Sequence, residues 1–388
     1  MSNPEQERLS QSINNRNWKK WGPYLADRQW GTVREDYSRE GNVWNYVNHD
    51  LARSYAYRWG EEGLAGFCDA DQVLCLAPAF WNGKDSILKE RLFGLTNGEG
   101  NHGEDVKELY FHLDSSPTHS YCKFLYKYPQ QAFPYMELVN KNKRDRLSPE
   151  YELLDTGLFR DDRYFDCYIE YAKADIDDLL MKVTVYNRGP ESAAIHVLPH
   201  LWFRNFWRHN PRFTKPDIFS ASAHCLQASS ARNGNFFLYH QEGEQLFCDN
   251  ETNNLRMFHR ANDSPYVKDG INNYVIHQED SVNPDKQGTK AAIWLKQKIQ
   301  AGSSHTFKIR LSKYPLNDPW GDYDKIFELR QLEVDQYYDR LIPTSLSRSN
   351  KSLFRSSTGG LMWTKQFYYL DVFKWLFGEP NERPPERG

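Results

Sequence analysis

The residue types most able to do chemistry are concentrated in one stretch. Leu92 to Glu108 reads Leu-Phe-Gly-Leu-Thr-Asn-Gly-Glu-Gly-Asn-His-Gly-Glu-Asp-Val-Lys-Glu. It holds four carboxylates (Glu99, Glu104, Asp105, Glu108), the single histidine His102 and four glycines. A loop this polar and glycine-rich brings side chains and backbone N–H groups to one point. Paired carboxylates suit general acid–base work, in which one group gives a proton and the other takes one. The two must be held rigidly at a fixed separation, and a single flexible loop is a poor frame for that. Asn101, His102 and Gly103 suit sugar hydroxyls, and Glu104 suits a pair with Lys107. The simpler expectation is an ordered loop that bonds its own backbone and neighbouring arginines.

Other chemistries find less support. The six cysteines (Cys68, Cys75, Cys122, Cys167, Cys225, Cys248) form no Cys-x-x-Cys pair and no metal spacing with histidine. They read as buried free thiols of a reducing, cytoplasmic setting. Asp69 and Asp71 match the opening of a calcium loop, but the glycine and later glutamate of that pattern are absent, so turn chemistry is expected there. No metal and no cofactor is expected. A formal charge of -3 with interspersed signs lacks the basic face nucleic acid requires. No apolar run approaches the roughly 20 residues of a membrane span. Tryptophan, tyrosine and phenylalanine make up 15 % of the 388 residues, which suits half-wet surfaces such as sugar platforms or domain interfaces, or a large aromatic core.

The elements that must position these groups are mainly strands. Residues 5–20 read as a charged helix stopped by Gly22-Pro23. The aromatic segment 24–50 reads as ordered loop and short strand, with Arg34, Glu35 and Asp36 as a surface ion-pair network or a binding edge. Leu64–Cys68 and Val73–Trp81 read as a hairpin turning at Asp69–Asp71, with Asn82-Gly83 closing it. Leu88–Leu95 leads into the polar loop, and Leu109–Asp114 leads out towards Ser120–Tyr128. Residues 129–150 form an excursion, helical around Met136–Lys143. Strands resume at Tyr164–Tyr171, Leu180–Tyr186, Ala194–Pro199, Leu201–Phe206, Phe236–His240, Gln245–Cys248, Ala291–Ile299 and Ser304–Leu311. The Met181–Val197 hairpin alternates in period two, the pattern of a half-buried antiparallel sheet. Asp322–Leu341 then carries helical spacing, and Asn350–Phe377 a second helical stretch, interrupted or bent at Gly359-Gly360. The domains expected are an N-terminal helix (1–21), a large antiparallel β-sandwich (22–318), a linker helix (319–345), and a helical segment with a Pro-rich tail (346–388).

Several long motifs together resemble one family. They are Trp21-Gly-Pro-Tyr, Arg28-Gln-Trp-Gly-Thr-Val-Arg-Glu-Asp-Tyr37, Glu90-Arg-Leu-Phe-Gly-Leu95, Glu99-Gly-Asn-His-Gly-Glu-Asp-Val-Lys-Glu108 and Thr118-His-Ser-Tyr121. With them go Leu201-Trp-Phe-Arg-Asn205, Asn250-Glu-Thr-Asn253, Ser264-Pro-Tyr-Val-Lys-Asp-Gly-Ile271 and Trp363-Thr-Lys-Gln-Phe-Tyr-Tyr369. In this order they resemble bacterial proteins of glycoside hydrolase family 63, similar to mannosyl-oligosaccharide glucosidases, from about residue 18 to about residue 378. The resemblance implies an N-terminal β-sandwich followed by an (α/α)6 barrel, and inverting exo-α-glucosidase activity on α-glucosides or oligosaccharides.

This chain resembles the sandwich and the opening helices of such a protein. The family's general acid and base lie in the barrel, so the resemblance assigns no catalytic residue here. It implies a non-catalytic part, inactive alone, that needs a barrel domain or a separate barrel-bearing chain. His102, Glu104, Asp105, Trp363, Gln366 and Tyr369 are the candidate substrate-binding residues, with Trp363, Gln366 and Tyr369 lining the pocket floor or packing between domains. The alternative is a free-standing carbohydrate-binding β-sandwich.

Overall fold

The computed structural model describes residues 3–13, 17–28, 47–57, 60–144, 147–208 and 212–377. The expected binding edge at Arg34, Glu35 and Asp36, most of the Arg28–Tyr37 motif and the Pro-rich tail lie outside them. The described chain is mainly β, built from antiparallel sheets, with helices following. A six-stranded sheet runs in the order Trp21–Gly22, Phe67–Asp69, Leu74–Trp81, Ala193–Phe203, Lys290–Ile299, Glu244–Cys248. A nine-stranded sheet runs Gln287–Gly288, Asp217–Ser222, Cys225–Ser230, Gly234–His240, Ser304–Ser312, Asp178–Asn187, Tyr164–Asp175, Tyr121–Pro129, Tyr110–Ser115.

Alternation explains the layering. In Asp178–Asn187, Met181, Val183 and Val185 point into the core, while Lys182, Thr184 and Tyr186 point out. Tyr126, Tyr171, Met181, Val183 and Ile309 of the larger sheet share one buried core with Phe67, Leu76, Phe80, Val197 and Ile293 of the smaller. Two sheets packed on a common apolar core form a sandwich. The turn at Asp69 is as expected, since its carboxylate accepts from the backbone N–H groups of Asp71, Val73 and Leu74.

Three expectations needed correction. The N-terminal helix spans only Pro4–Gln11, capped by Asn3. Ala193–Phe203 is one strand that passes through Pro199. Proline lacks the N–H a central ladder needs, and the pairing with Lys290–Ile299 lapses between Val197 and His200. On the other side Pro199 faces Pro78, so the missing donors fall where little pairing is lost. The helix Arg348–Trp363 runs through Gly359-Gly360 without a break and ends at Thr364. A Cβ on Gly359 would lie 3.4 Å from the Asp114 backbone, an ordinary van der Waals contact, so the helix packs on this strand without requiring glycine there.

Helices close both outer faces. Tyr323–Leu341 lays Tyr323, Phe327, Val334 and Tyr338 on Tyr121, Ala172 and Leu180. Its Tyr323 and Tyr338 hydroxyls donate to the carbonyls of Met181 at 2.6 Å and Ser115 at 2.8 Å. Gly270–His277 sets Ile271 and Val275 on Ala79, Leu198 and Ala292 of the smaller sheet. No described helix is long and apolar enough to cross a membrane.

A buried lysine pins the start of the chain to the larger sheet. Lys173 Nζ donates to the carbonyls of Trp18, Trp21 and Thr118. Burial pulls its pKa from 10.5 down to about 7, against the fields of Cys122, Glu5 and Asp177. Between those values the unfolded chain holds a proton that the folded chain has released, so this group makes stability rise with pH across the window. The slope approaches about 1.4 kcal/mol per pH unit. Urea midpoints between about pH 7 and about pH 10 should rise more steeply for the wild type than for Lys173→Met. Equal slopes would remove this assignment.

Candidate functional site

The polar loop is tied together from within. Gly94–Leu95 pairs with Asp105–Val106 and closes its base. Glu99 caps its own turn by accepting from the Thr96 N–H at 3.0 Å. At Gly100 (φ 98°) a Cβ would stand 2.7 Å from the Lys143 backbone, so only glycine fits. Glu108 is fully buried and accepts from Lys89 Nζ at 2.6 Å, the Phe93 N–H at 2.9 Å and the Tyr126 hydroxyl at 2.7 Å. His102 is exposed, and its backbone N–H donates to Glu150 at 2.8 Å. Glu104 is half-buried.

Lys107 is the hub. Its Nζ donates to Asp105 at 2.9 Å, Glu150 at 2.7 Å and Glu152 at 2.6 Å. Burial works against the ammonium, but Glu150, Glu152 and Asp105 outweigh it and hold its pKa above the usual lysine range. Oxygens of the three carboxylates lie within 4.8 Å of one another, a spacing that would suit a metal ion, and the ammonium sits among them as their counter-charge. Lys107→Ala should therefore convert the cluster into a weak cation site. Millimolar Ca²⁺ should raise the melting temperature of the variant and leave the wild type unmoved; no Ca²⁺ response in the variant would refute this account of the cluster. Glu150 and Glu152 carried no local signal in the sequence, being separated from Lys107 by a helical excursion.

The six candidate binding residues occupy different settings. His102, Glu104 and Asp105 lie in the polar loop. Trp363 is 3 % exposed and packs against Phe67, His112 and Phe124 at centroid distances of 6.0, 5.3 and 5.3 Å. That is the packing role between helix and sandwich. Gln366 lines an open cavity of about 490 Å³ with Lys19, His119 and Lys365. Tyr369 lies under the Arg204 guanidinium, 5.2 Å from its ring centre, with its hydroxyl 3.4 Å from Asp371.

A second charged assembly had no sequence signal because its members come from distant segments. Glu61, Glu62, Glu90, Arg91, His200, Lys268 and Lys290 meet on the outer face of the smaller sheet. Lys290 Nζ approaches Glu90 at 2.5 Å, His200 Nε2 lies 3.2 Å from Glu90, and Arg91 Nε lies 2.5 Å from Glu62. Burial raises the Glu61 pKa. At Glu90 the opposing pull of Lys290, His200 and Arg91 overcomes burial and holds the carboxylate well below the usual range. Burial brings Lys268 down to about 8. Carboxyls displaced in opposite directions are a hallmark of acid–base sites. Here, however, they surround a cavity of about 20 Å³, room for one water and not for a sugar ring. The assembly is a buried ion network that includes Glu90 and Arg91 of the segment leading into the polar loop.

Comparison with known proteins extends these observations. No family model matches the chain. It is 39 % identical to the protein YMR196W of Saccharomyces cerevisiae over 434 aligned positions. That alignment takes in 99 % of this chain, which spans 40 % of the yeast protein's length. Among solved structures, a kojibiose phosphorylase from the human microbiome overlaps 79 % of this chain and 33 % of its own, with 8 % identity and a TM-score of 0.29. A polysaccharide lyase overlaps 66 % of this chain and 27 % of its own, with 12 % identity and a TM-score of 0.28. Neither overlap is close enough to assign a fold or an activity.

Proposed function

We propose that this chain is the β-sandwich part of an inverting exo-α-glucosidase similar to glycoside hydrolase family 63. It would act on α-glucosides or oligosaccharides only together with an (α/α)6 barrel. The observation that carries this reading is the apolar surface of the C-terminal helical segment. Leu353 is 65 % exposed, Leu361 71 %, Leu370 48 % and Val372 53 %. The inner side of the same segment is firmly seated: Trp363 is buried, Arg355 pairs with Asp114, and Ser356 donates to the His112 carbonyl at 2.6 Å. A helix anchored on one side that exposes Leu353, Phe354 and Leu361 among polar residues on the other offers apolar side chains for a partner to cover. The engaged state of Glu99, Asp105 and Glu108 supports a loop that shapes the rim of a neighbouring pocket. Six free cysteines support a cytoplasmic setting.

The chain purified alone should self-associate and bind a hydrophobic dye. The variant Leu353→Glu/Leu361→Glu/Leu370→Glu should abolish both while leaving the circular dichroism spectrum unchanged. A monodisperse wild-type chain that binds no dye would overturn the covered-face reading.

A further inference from the structure

The cavity beside Gln366 carries chemistry that the glucosidase reading does not use. Lys19 and Lys365 both line it, and among the described residues neither lies in an ion pair with a carboxylate. Glu5, the carboxylate whose field reaches Lys19, is already engaged by Arg8, Thr118 and Ser120. Burial and the neighbouring Lys365 charge lower the Lys19 pKa. Two like charges converging on a cavity repel each other unless an anion lies between them.

His119 is the second, independent observation. It lines the same cavity, is 1 % exposed, and neither ring nitrogen has a hydrogen-bond partner. Burial, with Lys173, Lys365 and Lys19 around it, holds its pKa well below the ordinary value, so the ring is neutral and offers one N–H donor. The ring is fixed in place: Tyr24 stacks edge-on at 5.5 Å, and the His119 backbone is held at φ 57° by its N–H donating to the Ser116 carbonyl at 2.9 Å. An unpaired buried polar group costs free energy unless a ligand or water completes it. Gln366 adds an amide donor, and Tyr368 adds an aromatic wall.

We propose that this cavity binds a small anion of the phosphate class, either inorganic phosphate or the phosphate of a sugar monoester. Lys19 and Lys365 neutralise its charge, Gln366 donates to its oxygens, and the buried His119 ring borders the site. Compact ammonium groups are common phosphate partners. At about 490 Å³ the cavity has room for a hexose behind the phosphate.

Calorimetric titration of the whole chain tests this, with ionic strength balanced by sodium chloride and with inorganic phosphate and glucose 6-phosphate as separate probes. Saturable binding of at least one probe is expected, together with a shift of the His119 ring resonances. Lys19→Ala/Lys365→Ala should weaken that binding at least tenfold while keeping the wild-type spectrum and melting temperature, because Lys365 is exposed and Lys19 half-exposed. Tighter binding of glucose 6-phosphate would assign the monoester, and equal or weaker binding would assign the free ion. No saturable heat with either probe, or binding that the double variant leaves unchanged, would overturn the proposal. The site does not depend on the glucosidase reading, so either can fail alone.

Discussion

Lys89→Met should lower stability by about 3–5 kcal/mol, the usual consequence of leaving one member of a buried ion pair without its partner. The side chains of Lys89 and Glu108 are both 0 % exposed, with Nζ 2.6 Å from the carboxylate. The ammonium also lies 3.9 Å from the Phe133 ring centre and 4.9 Å from that of Tyr135. Without it, Glu108 would keep only the Phe93 N–H and the Tyr126 hydroxyl as donors, too little to solvate a buried charge. Lys89→Met/Glu108→Gln removes both charges and leaves an acceptor for those two donors, so it should recover more than half of the loss. Urea unfolding followed by tryptophan fluorescence reads both. A single-variant loss below about 1 kcal/mol, the range of an exposed pair, would contradict the role given to Glu108. So would a double variant less stable than the single.

Trp363→Ala should cost a comparable amount, about 3–5 kcal/mol for a buried aromatic truncated to a methyl group. The loss should be local as well as global. Trp363 is the last residue of the helix Arg348–Trp363 and its deepest attachment, meeting Phe67 from the smaller sheet and Phe124 from the larger. Amide hydrogen exchange should therefore lose protection across 352–362 while the strands Tyr164–Asp175 and Asp178–Asn187 keep theirs. Trp363→Phe should be milder, about 1–2 kcal/mol, because it preserves ring packing and removes a buried indole N–H that has no partner. Unchanged helix protection in Trp363→Ala would mean that Arg355 and Ser356 suffice to hold the helix.

Strands with strong alternation were legible in the sequence. The hairpin from Met181 to Val197 announced itself because Met181, Val183 and Val185 alternate with Lys182, Thr184 and Tyr186. The strands Asp217–Ser222 and Cys225–Ser230 did not, because serine and alanine give little contrast between the two faces. Gly359-Gly360 suggested an interruption or bend, but the helix continues through both residues. In the site, local chemistry could be read and remote partners could not. Four carboxylates in Leu92–Glu108 stood out, yet the groups that decide their state are Lys89, Tyr126, Glu150 and Glu152. The ion network around Glu90 draws on segments near residues 61, 90, 200, 268 and 290, and no window of sequence holds them together. His119 sat inside the motif Thr118–Tyr121, but only the fold shows that both of its ring nitrogens lack partners beside two lysines.

As proposed above, this sandwich would support glucoside hydrolysis without containing the acid and base. Hydrolysis of p-nitrophenyl α-D-glucoside, with the released sugar's anomer followed by proton NMR, tests it most directly. No turnover by the chain alone is expected. Turnover with β-glucose appearing first is expected when a chain bearing the (α/α)6 barrel is co-expressed and co-purifies. Turnover by the isolated chain that disappears in Glu104→Gln/Asp105→Asn would overturn the proposal and return the polar loop to the role of active site.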